Sequence, residues 1–452
     1  MDAIRQYLEL YAGHRELFDN NSAHVLNRLR RDAYAALEGT PLPRLGSENY
    51  HITDLTALLS PDFGLNPARV PLDVNPMLSF RCGVPNLSTA VTFMLNDIYA
   101  EPEGTALPRH DGIIIGSLRR AAEEHPELVR KYYGTLAGLD NPISALDTLL
   151  VQDGLFVYVP EGVRPERPVQ LVNVLQSAMP LMAVRRLLVV LEEDAELQLL
   201  VCDHTQNPDN DFLALQTVEI FAGARSRLDI YDIEESTPRT TRLCTTYLRQ
   251  EEGANVLLDG ITLCNGRTRN EYRCIFAGPE GELRLLGMAI EDGERMADTY
   301  SVIRHDAPRC HSDELFKYVV DDKARGEFAG LIYVAPGSVK TEAYQANRNI
   351  VGSPEARMYS KPQLEIYNDD VKCSHGTATG TFDPKQVFYM RQRGLSEAQA
   401  HLLLKQAFMA DVIEGVRLPA LRERLTQLVE HTFTGTQNGC AACSAACPHN
   451  SK

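Results

Sequence analysis

Cys373 and His375 stand two residues apart in the run Asp369-Asp370-Val371-Lys372-Cys373-Ser374-His375-Gly376. In an extended strand, residues i and i+2 project to the same face. The thiol and the imidazole would then lie side by side. A thiolate beside a neutral imidazole suits a soft metal or an inorganic sulfur species. Lys372 would face the opposite side. Asp369 and Asp370 read as a turn, not as paired catalytic acids. The bland reading of the stretch is structural, with a buried thiol and an imidazole hydrogen-bonded at a strand end.

A second group closes the chain: Cys440, Cys443 and Cys447, then Pro448 and His449. The spacing matches part of a ferredoxin-type cluster run ending in Cys-Pro, with three thiols in place of four. His449 or a partner would supply the fourth ligand. The same set suits zinc, and a redox-sensitive tail holding no metal is a third reading. Lys340, Thr341, Gln345 and Asn347 form a further polar group. Strand alternation puts Gln345 and Asn347 on one face. Buried amides need partners, so stacked ladders of such side chains are the expected role. Cys82, Cys202, Cys244, Cys264, Cys274 and Cys310 are scattered and read as small buried apolar residues. No export signal is read at the N-terminus, so a disulfide framework is not expected.

Several kinds of element must position these groups. Residues 3–17 and 23–37 carry helical apolar spacing, with Asp2 as a candidate cap. Residues 117–133 read as another helix, and residues 61–112 are irregular and rich in proline. From about residue 155 to 380 the signals are strands: 169–175, 186–191, 197–201, 213–221, 228–231, 256–261 and 283–290. A rough repeat places a small residue before a strand at Ala195, Ala224, Ala254, Gly281, Gly326 and Ala356. Its early spacings are 29, 30 and 27 residues. A period of that size without intervening helices favours stacked coils of a β-solenoid over a β-sandwich with irregular turns. Ser396 and Gln399 form a capping box for a helix ending near residue 415. Leu418, Leu421, Leu425 and Leu428 mark a second helix with a narrow apolar stripe. The expected units are 1–150 (helical and irregular), 151–384 (solenoid core), 385–435 (helical) and 436–452 (cysteine-rich tail).

The 452 residues carry a net charge of −16, from 45 basic and 61 acidic residues. That balance argues against nucleic-acid binding, which rewards Lys and Arg. No apolar run is long enough for a membrane span, and a soluble cytoplasmic protein is expected. No G-x-x-x-x-G-K-[ST] loop occurs, so ATP hydrolysis is not expected of this chain, nor is a dinucleotide site. A β-helix enzyme acting on acidic polysaccharide would need secretion and fits the charge poorly. A stand-alone metal or redox protein run by the tail is a further alternative.

Several separate blocks resemble the SufB/SufD family of iron–sulfur cluster assembly proteins. Gln152-Asp153-Gly154 with Phe156 to Pro160 is one. Arg44, Glu48, Tyr50 and Thr53 form another. The densest runs from His305 to Phe408 through Lys340-Thr341, Gln345, Asn347, Asp369 to Cys373 and His375-Gly376. CSHGTAT is similar to the SufD form, where the paralogue SufB typically reads like EHEAT. The resemblance implies a mainly β fold, a right-handed parallel β-helix flanked by N- and C-terminal helical regions. It implies a non-catalytic scaffold that pairs with SufB through the β-helix edge and docks the ATPase SufC by its C-terminal helices. It also implies a transient iron–sulfur cluster near the SufB interface, with His375 and Cys373 at that site. Alone, the chain would self-pair through the same edge. The cysteine tail departs from the family pattern.

Overall fold

The computed structural model describes residues 3–70, 89–100 and 112–434. Two parallel sheets face each other, and the chain alternates between them, one strand in each per turn. About eight turns of a parallel β-solenoid result. The ten-stranded sheet has a free edge at Lys372–Gly380. It continues through Glu342–Val351, His311–Val320, Glu282–Glu291, Asn255–Cys264, Arg227–Glu235, Glu196–Thr205 and Val169–Leu175 to Ala90–Leu95, where Ile98–Ala100 adds antiparallel. The nine-stranded sheet begins at Arg357–Ile366. It runs through Arg325–Val334, Met296–His305, Arg267–Phe276, Thr240–Gln250, Phe212–Ala222, Leu181–Leu191 and Gly154–Val159 to the antiparallel Ile114–Ser117.

Inward rows from both sheets make the main core, among them Leu187, Leu199, Leu258, Leu285, Phe316, Phe328 and Ile332. Helices cover both outer faces over much of the length, so many strands are buried on both sides. Leu181–Leu191 is buried from its second residue to its last, and its near-continuous apolar sequence follows from that double cover.

The expected repeat is real but its phase is corrected. The regular feature is one corner per turn. Gly162, Asp194, Arg225, Gly253, Glu280, Arg309 and Lys340 all have positive φ there, at steps of 27–32 residues. The N–H of each of Asp194, Arg225, Gly253, Glu280, Arg309 and Lys340 donates to a carbonyl of the next turn. Ion pairs stack on the same corner: Arg225 with Asp194 at 2.8 Å, Arg309 with Glu280 at 2.8 Å and Lys340 with Asp370 at 2.9 Å. At five of these corners the residue after the left-handed position packs inside: Ala195, Ser226, Ala254, Cys310 and Thr341 are all buried. Ala224 is therefore two residues early, and Gly326 and Ala356 lead into strands of the other sheet. A search for an apolar landmark missed the phase because Ser226 and Thr341 are polar, and it missed strands such as Thr240–Gln250 because their inward residues include Arg242 and Thr246.

The first predicted helix is Arg5–Asn20, and the second breaks into His24–Asn27 and Arg30–Gly39. Asp2 lies outside the described residues. The stretch 117–133 is two helices, Leu118–Glu124 and Pro126–Tyr132, because Pro126 lacks the N–H a continuous helix needs and starts a new one. Pro142–Leu150 was not foreseen. Asn141 caps it by accepting from Ile143 N and Ser144 N, and it is buried almost all round, with Ser144, Asp147 and Thr148 inside as well as its apolar residues. This layer covers the nine-stranded sheet through both apolar and charged contacts. Arg186 is wholly buried and bonds Asp147 and Glu219, each at 2.8 Å. Tyr50 lies under the Arg269 guanidinium and donates to Glu271 at 3.0 Å, while Thr53 donates to Asp298.

On the opposite face, Glu397–Gly415 and Pro419–Thr434 pack on the ten-stranded sheet. The Ser396/Gln399 capping box is present, and Leu421, Leu425 and Leu428 are buried as their spacing predicts. Among the described residues no helix is long and apolar enough to cross a membrane.

Candidate functional site

Lys372–Gly380 is the last rung of the solenoid and pairs on one side only, with Glu342–Val351. Cys373 stands beside Ala343, His375 beside Gln345, Thr377 beside Asn347 and Thr379 beside Asn349. Those four partners are buried and point inward. Cys373 and His375 thus continue the inward-facing rows at the open end, on one face as the strand period requires.

The two side chains have different surroundings. Cys373 is partly buried and packs against the core. Burial pushes its thiol up, and a backbone hydrogen bond at Ala343 acts the other way. A cation or metal brought to the site would be needed to favour the thiolate. His375 is exposed, and its Nδ1 lies 3.1 Å from the Pro362 carbonyl of the facing sheet. A carbonyl only accepts, so Nδ1 is the donor and the neutral ring keeps its lone pair on Nε2. That outer hydrogen bond fixes the tautomer and the ring direction, as it does in metal-ligating histidines. Thr377 donates to Ser360 at 2.8 Å, a second link between the two sheets.

The neighbouring motif residues are structural in their contacts. Lys372 faces outward and pairs with Glu342 at 2.7 Å. Asp370 forms the corner pair with Lys340, and Asp369 is exposed in the adjoining bend. Thr341 donates to Ser338 O at 2.8 Å. Gly376 has open space where a Cβ would sit. Gln345 and Asn347 do share the inward face, but they form no ladder with each other. Gln345 donates to Glu314 at 2.7 Å, and Asn347 donates to the Phe316 carbonyl at 3.2 Å.

Of the scattered thiols, Cys202, Cys244, Cys274 and Cys310 are buried and Cys264 is partly so. Cys82 and the tail residues Cys440, Cys443, Cys447 and His449 lie outside the described residues. Among the described residues no three His, Cys, Asp or Glu side chains are grouped to hold a metal. Cys373 and His375 are at most two ligands of an incomplete set.

Exposed apolar side chains gather at this end. Tyr359, Ile366 and Tyr367 belong to the last turn, and Phe388 and Tyr389 to the adjoining helix Pro384–Gln392. Tyr367 is 58% exposed and Phe388 62%, which is unusual for rings on a surface without a partner. Sequence reasoning missed Pro362 as the anchor of His375, because nothing local links residues on opposite sheets. It also missed Glu314, which stands between Asp313 and Leu315 and has no local mark of burial.

Residues 173–408 match the family model described as SUF system FeS cluster assembly, SufBD core domain. Residues 1–171 match the SufBD protein N-terminal region. An iron–sulfur cluster assembly SufBD family protein of Synechocystis is 27% identical over 413 residues, covering 90% of each chain. The iron–sulfur cluster assembly protein SufD of Escherichia coli is 29% identical over 314 residues, covering 66% of this chain and 72% of its own. SufD of Bacillus subtilis is 25% identical over 430 residues, covering 90% and 93%. With both family models matched along nearly the whole solenoid and its N-terminal layer, the chain belongs to the SufBD family of iron–sulfur cluster assembly proteins.

Proposed function

We propose that this chain is the SufD-type scaffold of a SUF assembly complex, working in the cytoplasm without catalytic activity of its own. It pairs with SufB through the free end of the solenoid and docks the ATPase SufC on its C-terminal helices. Cys373 and His375 supply two ligands to a nascent cluster, and SufB supplies the rest. The cluster is cargo and leaves with the product.

One observation carries this reading: Cys373 and His375 sit on the rung that ends the ten-stranded sheet with an unpaired edge, near exposed aromatic residues, with Nδ1 of His375 committed to Pro362. The edge chemistry supports strand addition there. The edge at Lys372–Gly380 contains no proline, whereas Arg357–Ile366 carries Pro362 in its middle. Proline blocks ladder bonds, and free edges invite pairing. An isolated chain would pair with its own copy the same way.

The test is anaerobic co-expression with both partners, followed by iron and sulfide analysis of the purified complex. His375→Ala and Cys373→Ala should lower cluster content while leaving the complex assembled. Unchanged iron and sulfide in both variants would refute the site. Deleting residues 436–452 separates the alternative, a metal or redox protein run by the tail. Loss of all bound iron on that deletion alone would favour the tail.

A further inference from the structure

The inward row that ends at His375 changes character along the solenoid. Its successive rungs are Leu199, Ile230, Leu258 and Leu285, then Glu314, Gln345 and His375. Four apolar side chains give way to three polar ones in the last three turns. Glu314 is 0% exposed and Gln345 is 2% exposed. Gln345 Nε2 donates to Glu314 Oε2 at 2.7 Å, and Gln345 Oε1 is buried with no hydrogen-bond partner. An orphaned buried acceptor costs about 1–3 kcal/mol. A leucine continuing the row would avoid that cost, so stability does not explain the arrangement.

The facing sheet leaves room for Gln345 and confines it. Gly330 stands opposite, and a Cβ there would lie 2.3 Å from Gln345 Nε2 and 2.8 Å from the Phe328 ring. With its amide nitrogen held by Glu314 on the inner side, Gln345 has one orientation. His375 occupies the next rung outward in the same row. Its Nδ1 lies 3.1 Å from the Pro362 carbonyl across the gap, and its strand pairs in register with that of Gln345.

We propose that Glu314 and Gln345 are positioning residues for His375. Glu314 clamps the Gln345 amide, and the clamped amide forms a floor that keeps the imidazole on Pro362 with Nε2 turned toward the open end. The inference rests on the reading of His375 as a ligand. It adds two residues that act on the ligand from inside the solenoid and touch neither metal nor sulfur.

The experiment uses full-length protein labelled with 15N-histidine at pH 8, where imidazole nitrogen shifts and couplings report the His375 tautomer. In wild type and in Glu314→Gln, which keeps an acceptor for Gln345, one Nδ1–H tautomer is expected. In Glu314→Leu and Gln345→Leu a mixture of tautomers is expected. Gly330→Ala displaces Gln345 without changing a polar atom and should give the same mixture. In the complex assembled with both partners, Fe2+ binding should weaken about tenfold in the two leucine variants, the low end of what outer-shell partners of a metal ligand contribute. A single unchanged tautomer in Glu314→Leu, Gln345→Leu and Gly330→Ala would overturn the proposal. So would a drop in melting temperature shared by Glu314→Gln and Glu314→Leu with the tautomer unmoved, since that marks a purely structural role. If His375→Ala leaves cluster assembly intact while the leucine variants still mix the tautomers, the site reading fails and the positioning role stands.

Discussion

Replacing Arg186 by methionine tests how the N-terminal layer is held to the solenoid. Arg186 is fully buried on Leu181–Leu191. Its Nη1 donates to Asp147 at 2.8 Å and to Thr148 at 3.2 Å, its Nη2 donates to Glu219 at 2.8 Å, and its guanidinium lies 4.9 Å from the Tyr133 ring centre. Asp147 belongs to the helix Pro142–Leu150, and Glu219 also accepts from the backbone of Gly134, Leu136 and Ala137. One cation therefore joins a helix, a loop and two strands. Methionine keeps the apolar stem and removes the charge. Two charge-assisted bonds disappear and two carboxyls stay buried without their counter-ion, which costs about 3–5 kcal/mol. Burial already pushes the Asp147 carboxyl up to about 7 against the pull of Arg186. Without that pull it takes up a proton more readily, so the penalty should be smaller at pH 5.5 than at pH 8. The assay is guanidinium denaturation at both pH values, with Asp147→Asn as the second arm of a double-mutant cycle. Added to Arg186→Met, the Asp147→Asn change should return about 1–3 kcal/mol. A loss under 1 kcal/mol at pH 8, or strict additivity of the pair, would refute the reasoning.

Two further predictions concern the opposite face. Asp259 is buried under the C-terminal helices with both carboxylate oxygens unpaired. Burial pushes its carboxyl up to about 8, and Arg284 pulls it back in part. The folded form therefore holds the proton more tightly than the unfolded chain, and stability falls as pH rises from about 4 to about 8. Asp259→Asn removes that loss, so its advantage over wild type should grow across the window by at most about 1.4 kcal/mol per pH unit. A stability difference that stays constant between pH 5 and 8 would show that the carboxyl is not protonated when buried. Lys317 is buried beneath the C-terminal helices, donates to the Phe408 carbonyl at 2.7 Å and pairs with Asp411. Lys317→Met should cost about 1.5–3 kcal/mol and speed hydrogen exchange in Glu397–Gly415 without speeding it in the solenoid strands. Unchanged exchange in that helix would mean that the apolar contacts alone hold it.

Much of the fold was legible because it obeys local rules. The capping box at Ser396, the leucine stripe of the last helix and the strand runs from Val169 onward each follow from neighbours within a turn or two. The Cys373–His375 pairing on one face was legible for the same reason, since strand alternation needs only a spacing of two. Reading failed where a contact crosses turns. The helix Pro142–Leu150 buries Ser144, Asp147 and Thr148 along with its apolar residues, and the partner of Asp147 is Arg186, 39 residues on. Thr240–Gln250 places Arg242 inward, where Asp203 and Asn270 satisfy it, and no local rule expects an arginine inside a core.

The sequence by itself determined a period, a class of fold, a family likeness and the pair of residues on which chemistry would centre. It did so because turn residues, strand alternation and residue types are properties of short stretches. Only the tertiary structure decided which small residues share a corner, that Lys372–Gly380 ends the stack, and that His375 is hydrogen-bonded to Pro362 and follows Glu314 and Gln345 in one row. Neighbouring turns of a solenoid lie about 4.8 Å apart in space yet some thirty residues apart in the chain. The row that ends at His375 is assembled across that distance, where no pattern within a single stretch can announce it.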